Sequence, residues 1–190
     1  MHHDHTPISF LEGYQPSEEK DQQDKERMLG FARSLANPLS RSEREAHFTG
    51  SAIVVHPAKD QICLVFHGKY HRWIQLGGHG EVEDRGDISA TALREAREES
   101  GLEVEHFGGQ PCLIDIDVHP IPARGNEPEH FHLDMRFLFQ AKTDQLIRDP
   151  NESDDLRWLT WEEAMKAIDA DLSCVRMLQK AKAIVDAYSS

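Results

Sequence analysis

The chain has 190 residues, 38% hydrophobic and 29% charged, with a formal net charge of −13 at pH 7. That length suits one domain with a real core, and no apolar run approaches the roughly 20 residues that span a bilayer, so a soluble globular protein with no membrane partner is expected. The acidic balance repels nucleic-acid backbones, and the cysteines Cys63, Cys112 and Cys174 form no pair motif, which fits a reducing cytoplasm and excludes a disulfide scaffold.

In chain order, residues 1–16 read as a loose or partly ordered leader, and Met1-His2-His3-Asp4-His5 lacks the apolar stretch of a secretory signal. From Ser17 the pattern turns helical. Ser17 serves as cap, Glu18 and Glu19 fill the first turn, and Met28, Leu29, Phe31, Ala32 and Leu35 form an apolar side. Asn37-Pro38 ends that helix, and residues 40–46 add one more helical turn. A β-rich region opens near Thr49, with runs at 51–56 and 61–67 joined by a hairpin loop at 57–60 and a third short strand at 72–76. Gly77-Gly78-His79-Gly80 then breaks the pattern, an acidic loop follows, and residues 88–100 read as a helix stopped by Gly101. Strands at 110–119 and 130–141 flank a proline-rich loop, a last strand lies at 155–159, and helices at 161–168 and 172–188 close the chain. Strands in a run with helices inserted predict an α+β architecture: an α/β/α sandwich around a mixed sheet. The division expected is a leader and helical extension over 1–47 and one domain over 48–190.

The chemistry concentrates on the helix at 88–100. Successive helical residues turn by about 100°, so Glu95, Glu98 and Glu99 share roughly a 100° arc, while Ile88, Ala92 and Ala96 lie on an adjoining arc suited to packing. Three crowded carboxylates repel one another, and a divalent cation with a preference for hard oxygen, Mg²⁺ or Mn²⁺, relieves that repulsion. A solvated acidic face is the plain alternative. The diglycine turn upstream and the glycine stop weigh against it.

The stretch from Gly78 to Leu102 resembles the Nudix box, Gx5Ex7REUxEExGU. Arg94, Glu95, Glu98, Glu99, Gly101 and Leu102 match its second half, and Ala96 stands in for a bulky residue. The first half departs from the pattern. Counting from Gly78 gives Asp84 where the family has glutamate, with a loop longer by two residues before Arg94; counting from Gly80 gives Gly86 there. Asp84 or Asp87 replaces that glutamate. The resemblance implies a Nudix-like fold, with the flanking strands extending it over residues 49–170. It implies a pyrophosphohydrolase that cleaves a phosphoanhydride bond of a nucleoside diphosphate linked to another moiety, such as ADP-ribose, a nucleotide sugar or a nucleoside triphosphate. It further implies metal ligands Glu95, Glu98, Glu99 and the backbone of Gly77 or Gly78, a water-activating role for Glu95 or Glu98, and an orienting role for Arg94. A homodimer is common in such a family.

Outside the box, His130, His132, Asp134 and Arg136 alternate with Phe131, Leu133, Met135, Phe137 and Phe139, so a strand there presents a polar face. His132, Asp134 and Arg136 are expected to face substrate, with His79 donating to phosphate from beside the diglycine. Glu127, Glu129 and Glu152 are outside candidates for a late metal ligand or base. Trp73, Trp158 and Trp161 read as packing residues and Cys63 as core. Two other readings compete. One is a non-catalytic nucleotide-sensing module, which would not need all three glutamates. The other is an enzyme resembling isopentenyl-diphosphate isomerase, which would need a reactive Cys63.

Overall fold

The computed structural model describes residues 5–68, 71–150, 153–168 and 170–188. Its centre is a mixed sheet built on two long neighbours, β1 (Ala46–Val55) and β7 (His130–Ala141), which run parallel. Every other pairing is antiparallel. β2 (Gln61–His67) lies beside β1 and carries β3 (Arg72–Ile74) and β8 (Asp155–Thr160), and β4 (Leu76–His79) also pairs with β1. On the far side, β5 (Val104–His106) and β6 (Leu113–Ile121) pair with β7. The helices are α1 (Pro7–Gly13), α2 (Glu19–Ser34), α3 (Ile88–Ser100), α4 (Trp161–Ala167) and α5 (Leu172–Tyr188).

Alternation along the strands makes two cores. Phe48, Ala52 and Val54 of β1 with Leu133, Met135, Phe137 and Phe139 of β7 face α1, α2 and α3. Ile53, Val55, Ile62, Leu64 and Leu138 face the other way, onto Trp161, Ala164, Met177, Leu178 and Ala181 of α4 and α5. This is the expected α/β/α sandwich. Helix α3 has the expected punctuation: Asp87 accepts from the backbone N–H groups of Ser89 and Ala90, and Gly101 leaves the helix at φ 68°. Its Ile88, Ala92 and Ala96 are fully buried against β1. Gly50 makes that approach possible, since a Cβ there would sit 2.8 Å from the Ile88 carbonyl oxygen and 2.9 Å from the Ala92 nitrogen. Among the described residues, no helix is long and apolar enough to cross a membrane.

Several local readings change. Residues 7–13 are helical: Thr6 caps, Pro7 sits at the first turn, and Leu11 is buried in the core. A helix this short carries too little periodicity to be read along the chain. Glu18, not Ser17, is the N-cap of α2, and Ser17 instead donates its N–H and hydroxyl to Asp21. Residues 40–46 form turns, and β1 already begins at Ala46. The diglycine is paired β-structure: Gly77 lies opposite Ser51 and Gly78 opposite Gly50. Glycine is a poor strand former by propensity, yet here its lack of a side chain leaves room for α3 across the sheet.

Candidate active site

Helices α4 and α5 cover only part of their face of the sheet. The uncovered part, with α3 and the loop before β7 as walls, is a cleft of about 1430 Å³. Ligand sites usually measure roughly 300–1,000 Å³, so there is room for an extended, nucleotide-sized molecule.

One wall is the predicted glutamate face. Glu95, Glu98 and Glu99 all line the cleft beside Gly77 and Gly78. Glu99 Oε2 accepts the Gly77 N–H at 2.8 Å. A Cβ on Gly78 would fall 2.5 Å from the Glu95 carboxyl carbon, so the missing side chain is what lets this carboxylate approach the strand backbone. Arg94 organises the group. Its Nη1 donates to Glu95 at 2.9 Å and to Glu98 at 2.8 Å, and its Nη2 donates to the His79 carbonyl at 2.7 Å. Its Nε and Nη2 grip Asp84 with two bonds of 3.1 Å. Such forked, charge-assisted pairing fixes the guanidinium plane.

Asp84, not Asp87, is the aspartate that pairs with Arg94. Asp84 is buried and takes Arg94, the Thr91 hydroxyl and the Glu81 N–H. Burial opposes its charge, but those donors outweigh burial and hold the carboxyl below the usual range. Asp87 is the cap of α3, with a histidine partner in His5.

The floor is the polar face of β1, β6 and β7. Asp134 accepts from the hydroxyls of Thr49 at 3.1 Å and Ser51 at 2.7 Å, and from Arg136 Nε at 2.8 Å. Arg136 is buried and also binds Asp115 at 2.9 Å and the Ser173 hydroxyl at 2.8 Å. Its guanidinium reaches the cleft floor already held by two carboxylates. His79 and His132 line the same cleft with rings 5.0 Å apart. Burial, with the neighbouring histidines and Arg41, pushes His79 down to about 3; burial and the surrounding histidines push His132 down to about 2, so both rings are neutral.

The outside candidates divide. Glu127 lines the cleft, Glu129 is exposed, and Glu152 lies outside the described residues. All three tryptophans pack: Trp158 donates to the Asp144 carbonyl, Trp161 to that of Lys59, and Trp73 stacks edge-on with Phe66. Cys63 is buried, and burial pushes its thiol far up, which removes a nucleophilic cysteine from that position. Sequence reasoning passed over His47, Thr49 and Ser51 of β1, Gln75 between β3 and β4, and His119 of β6, which also line the cleft. Only the strand register reveals them.

The donor set fits a hard divalent cation. Three carboxylates converge on one wall beside a bare glycine backbone, all in a chain of strong negative charge.

Known proteins share this fold. The family model for the NUDIX domain matches residues 46–178. Among solved structures, a NUDIX-family hydrolase from Clostridium perfringens is 24% identical, with a TM-score of 0.50 over 75% of this chain and 97% of that one. An Ap4A hydrolase from C. elegans, solved as a binary complex, is 18% identical, with a TM-score of 0.57 over 74% of this chain and 98% of that one. No curated protein matches the chain in sequence.

Proposed function

The chain belongs to the Nudix family of hydrolases, and from that premise we propose that it is a divalent-metal-dependent pyrophosphohydrolase. Its substrate in this reading is a nucleoside diphosphate linked to another moiety: ADP-ribose, a nucleotide sugar, a dinucleoside polyphosphate or a nucleoside triphosphate. One observation carries it. Arg94 gathers Glu95 and Glu98 while Glu99 binds the Gly77 backbone, so three carboxylates meet at one wall of a cleft large enough for such a molecule.

Glu95, Glu98, Glu99 and the backbone of Gly78 are the residues that would hold Mg²⁺ or Mn²⁺. The ion supplies charge neutralisation at the phosphate oxygens and a lowered pKa for water. Arg94 keeps two of the carboxylates in register, and Asp84 keeps Arg94 in place. Glu95 or Glu98 takes the proton of the attacking water as its oxygen bonds to phosphorus and the anhydride oxygen leaves. His79, His132, Asp134 and Arg136 form the substrate side, with Arg136 acting mainly through Asp134. The three free cysteines fit a reducing cytoplasm. The partner is a small molecule, with a homodimer open to test.

A non-catalytic sensor would not require this convergence. An isomerase dependent on Cys63 is disfavoured by its burial.

The test is a product-release screen over these substrate classes with Mg²⁺ and Mn²⁺, beside Glu98→Gln. Expected is turnover by the parent on at least one class and a loss of about 100-fold or more in the variant. Equal turnover by both removes the site assignment.

A further inference from the structure

The cleft holds a second cluster that the carboxylate wall does not use. The register of three adjacent strands draws histidines into a row: His119 of β6 lies opposite His132 of β7, and His132 lies opposite His47 of β1. His130 stands two residues before His132 on the same face. Residues facing each other across neighbouring strands have Cβ atoms roughly 5 Å apart, so the row is a consequence of register alone. The ring centroids of His47 lie 4.9 Å from those of His130 and 5.0 Å from those of His132.

We propose that His47, His130 and His132 form a transition-metal site, of the class that takes Zn²⁺ or Co²⁺, apart from the carboxylate wall; its use as a phosphate anchor rests on the reading above, in which His132 lies on the substrate side. One ligand nitrogen from each lies within 4.8 Å of the others. Two of the rings are already oriented. His47 Nδ1 lies 3.3 Å from the Glu43 carbonyl and His130 Nδ1 lies 3.0 Å from the Pro128 carbonyl. A ring that donates its Nδ1–H to a backbone carbonyl leaves Nε2 as a lone pair, which is how metal-binding histidines are held.

The second observation is at His47. The residue is 3% exposed, and its Nε2 has no hydrogen-bond partner among the described residues. A buried ring nitrogen without a partner costs roughly 1–3 kcal/mol if the ring only packs. A metal ion supplies the missing partner for Nε2 and relieves that cost. A neutral imidazole is the form that binds a metal. Imidazole nitrogen favours zinc-like ions over magnesium, whereas the carboxylate wall has the opposite preference. Three protein ligands leave a coordination position open to the cleft. In a chain of net charge −13, an ion there gives an anionic phosphate a positive anchor on the floor, facing the carboxylate wall.

The test is a Co²⁺ titration of the metal-stripped full chain, followed by visible absorption. Imidazole-bound cobalt of low coordination number gives intense bands that carboxylate- and water-bound cobalt does not. Expected is a band that saturates in the parent, is displaced by Zn²⁺, and persists in Glu98→Gln, which by then has lost hydrolysis. His130→Gln and His132→Asn weaken cobalt binding at least tenfold. A variant with His2, His3 and His5 replaced by Gln keeps the band. No band in the parent, an unchanged band in both histidine variants, or loss of the band with the N-terminal histidines overturns the proposal. If the variants do not fold, long-range ¹H–¹⁵N spectra of the unmutated protein decide it. Zn²⁺ shifts the ring nitrogens of His47, His130 and His132 and spares His56, and an unshifted His47 overturns the assignment.

Discussion

Two charged regions of this molecule are built from the same residue types and behave in opposite ways. Around Arg94, the carboxylates come from a short stretch of chain and sit at a cleft wall, with the Glu98 side chain 58% exposed. Around Arg136, the network draws on α2, β6, β7 and α5, and its carboxylates are buried. Asp115 accepts from Arg136, Arg176 and Lys180, and Asp21 of α2 shares Lys180 with it. Asp117 adds Lys20, Asp24 of α2 takes the Val118 N–H, and Asp115 and Asp21 are fully buried. The first region keeps its charges partly hydrated and available to a ligand. The second has its carboxylates buried and paired with cations from other elements, so it fastens α2 and α5 to the sheet. Desolvation makes the second costly to disturb and the first cheap to alter.

The largest expected effect follows from that contrast. Arg136→Met leaves Asp115 and Asp134 buried without their shared partner and should destabilise the fold by about 3–5 kcal/mol in urea denaturation. Glu98→Gln should stay within about 0.5 kcal/mol of the parent. Comparable losses from both would erase the distinction between the regions.

A smaller effect is expected at the strand beneath the first region. Gly78→Ala places a Cβ 2.5 Å from the Glu95 carboxyl carbon, so the carboxylate must move. Displacement of about 1 Å costs up to about 100-fold in rate, so turnover should fall by roughly that factor with little change in melting temperature. Unchanged turnover would show that Glu95 need not touch the β4 backbone.

The smallest effect is a pH dependence. Burial works against the charge of Asp21, but the Lys180 hydrogen bond and the two from Ser17 outweigh it and hold the carboxyl below its ordinary 3.8. A depressed folded-state pKa contributes stability that is fully present above the unfolded value and is lost as pH falls through the folded one. Stability should therefore drop as pH falls below about 3.8. Asp21→Asn should make that drop shallower, measured by thermal melts across the acid range. An identical slope in the variant would remove Asp21 from the acid-sensitive set.

Legibility in the sequence followed the reach of the interactions. Helix α3 could be read because its cap, its apolar stripe, its glutamate arc and its glycine stop all lie within one short segment. The two-faced pattern of β7 could be read because alternation is local. The strand character of Gly77 and Gly78 could not, since it depends on Ser51 and Gly50 far upstream. Helix α1 was missed because Thr6 and Pro7 are its only local signals, and its anchor, Leu11, needs a core formed elsewhere. The histidine row was hidden because His47 and His119 stand alone in their segments and meet His132 only through register.

By itself the sequence determined that this is an acidic α+β domain with Arg94, Glu95, Glu98 and Glu99 within two turns of one helix, because helical periodicity and capping are properties of neighbouring residues. Tertiary structure alone decided that Asp84 rather than Asp87 pairs with Arg94, that Arg136 is locked beneath the cleft, and that three histidines share one point. Those outcomes depend on strand register and desolvation, which arise only when distant segments pack together.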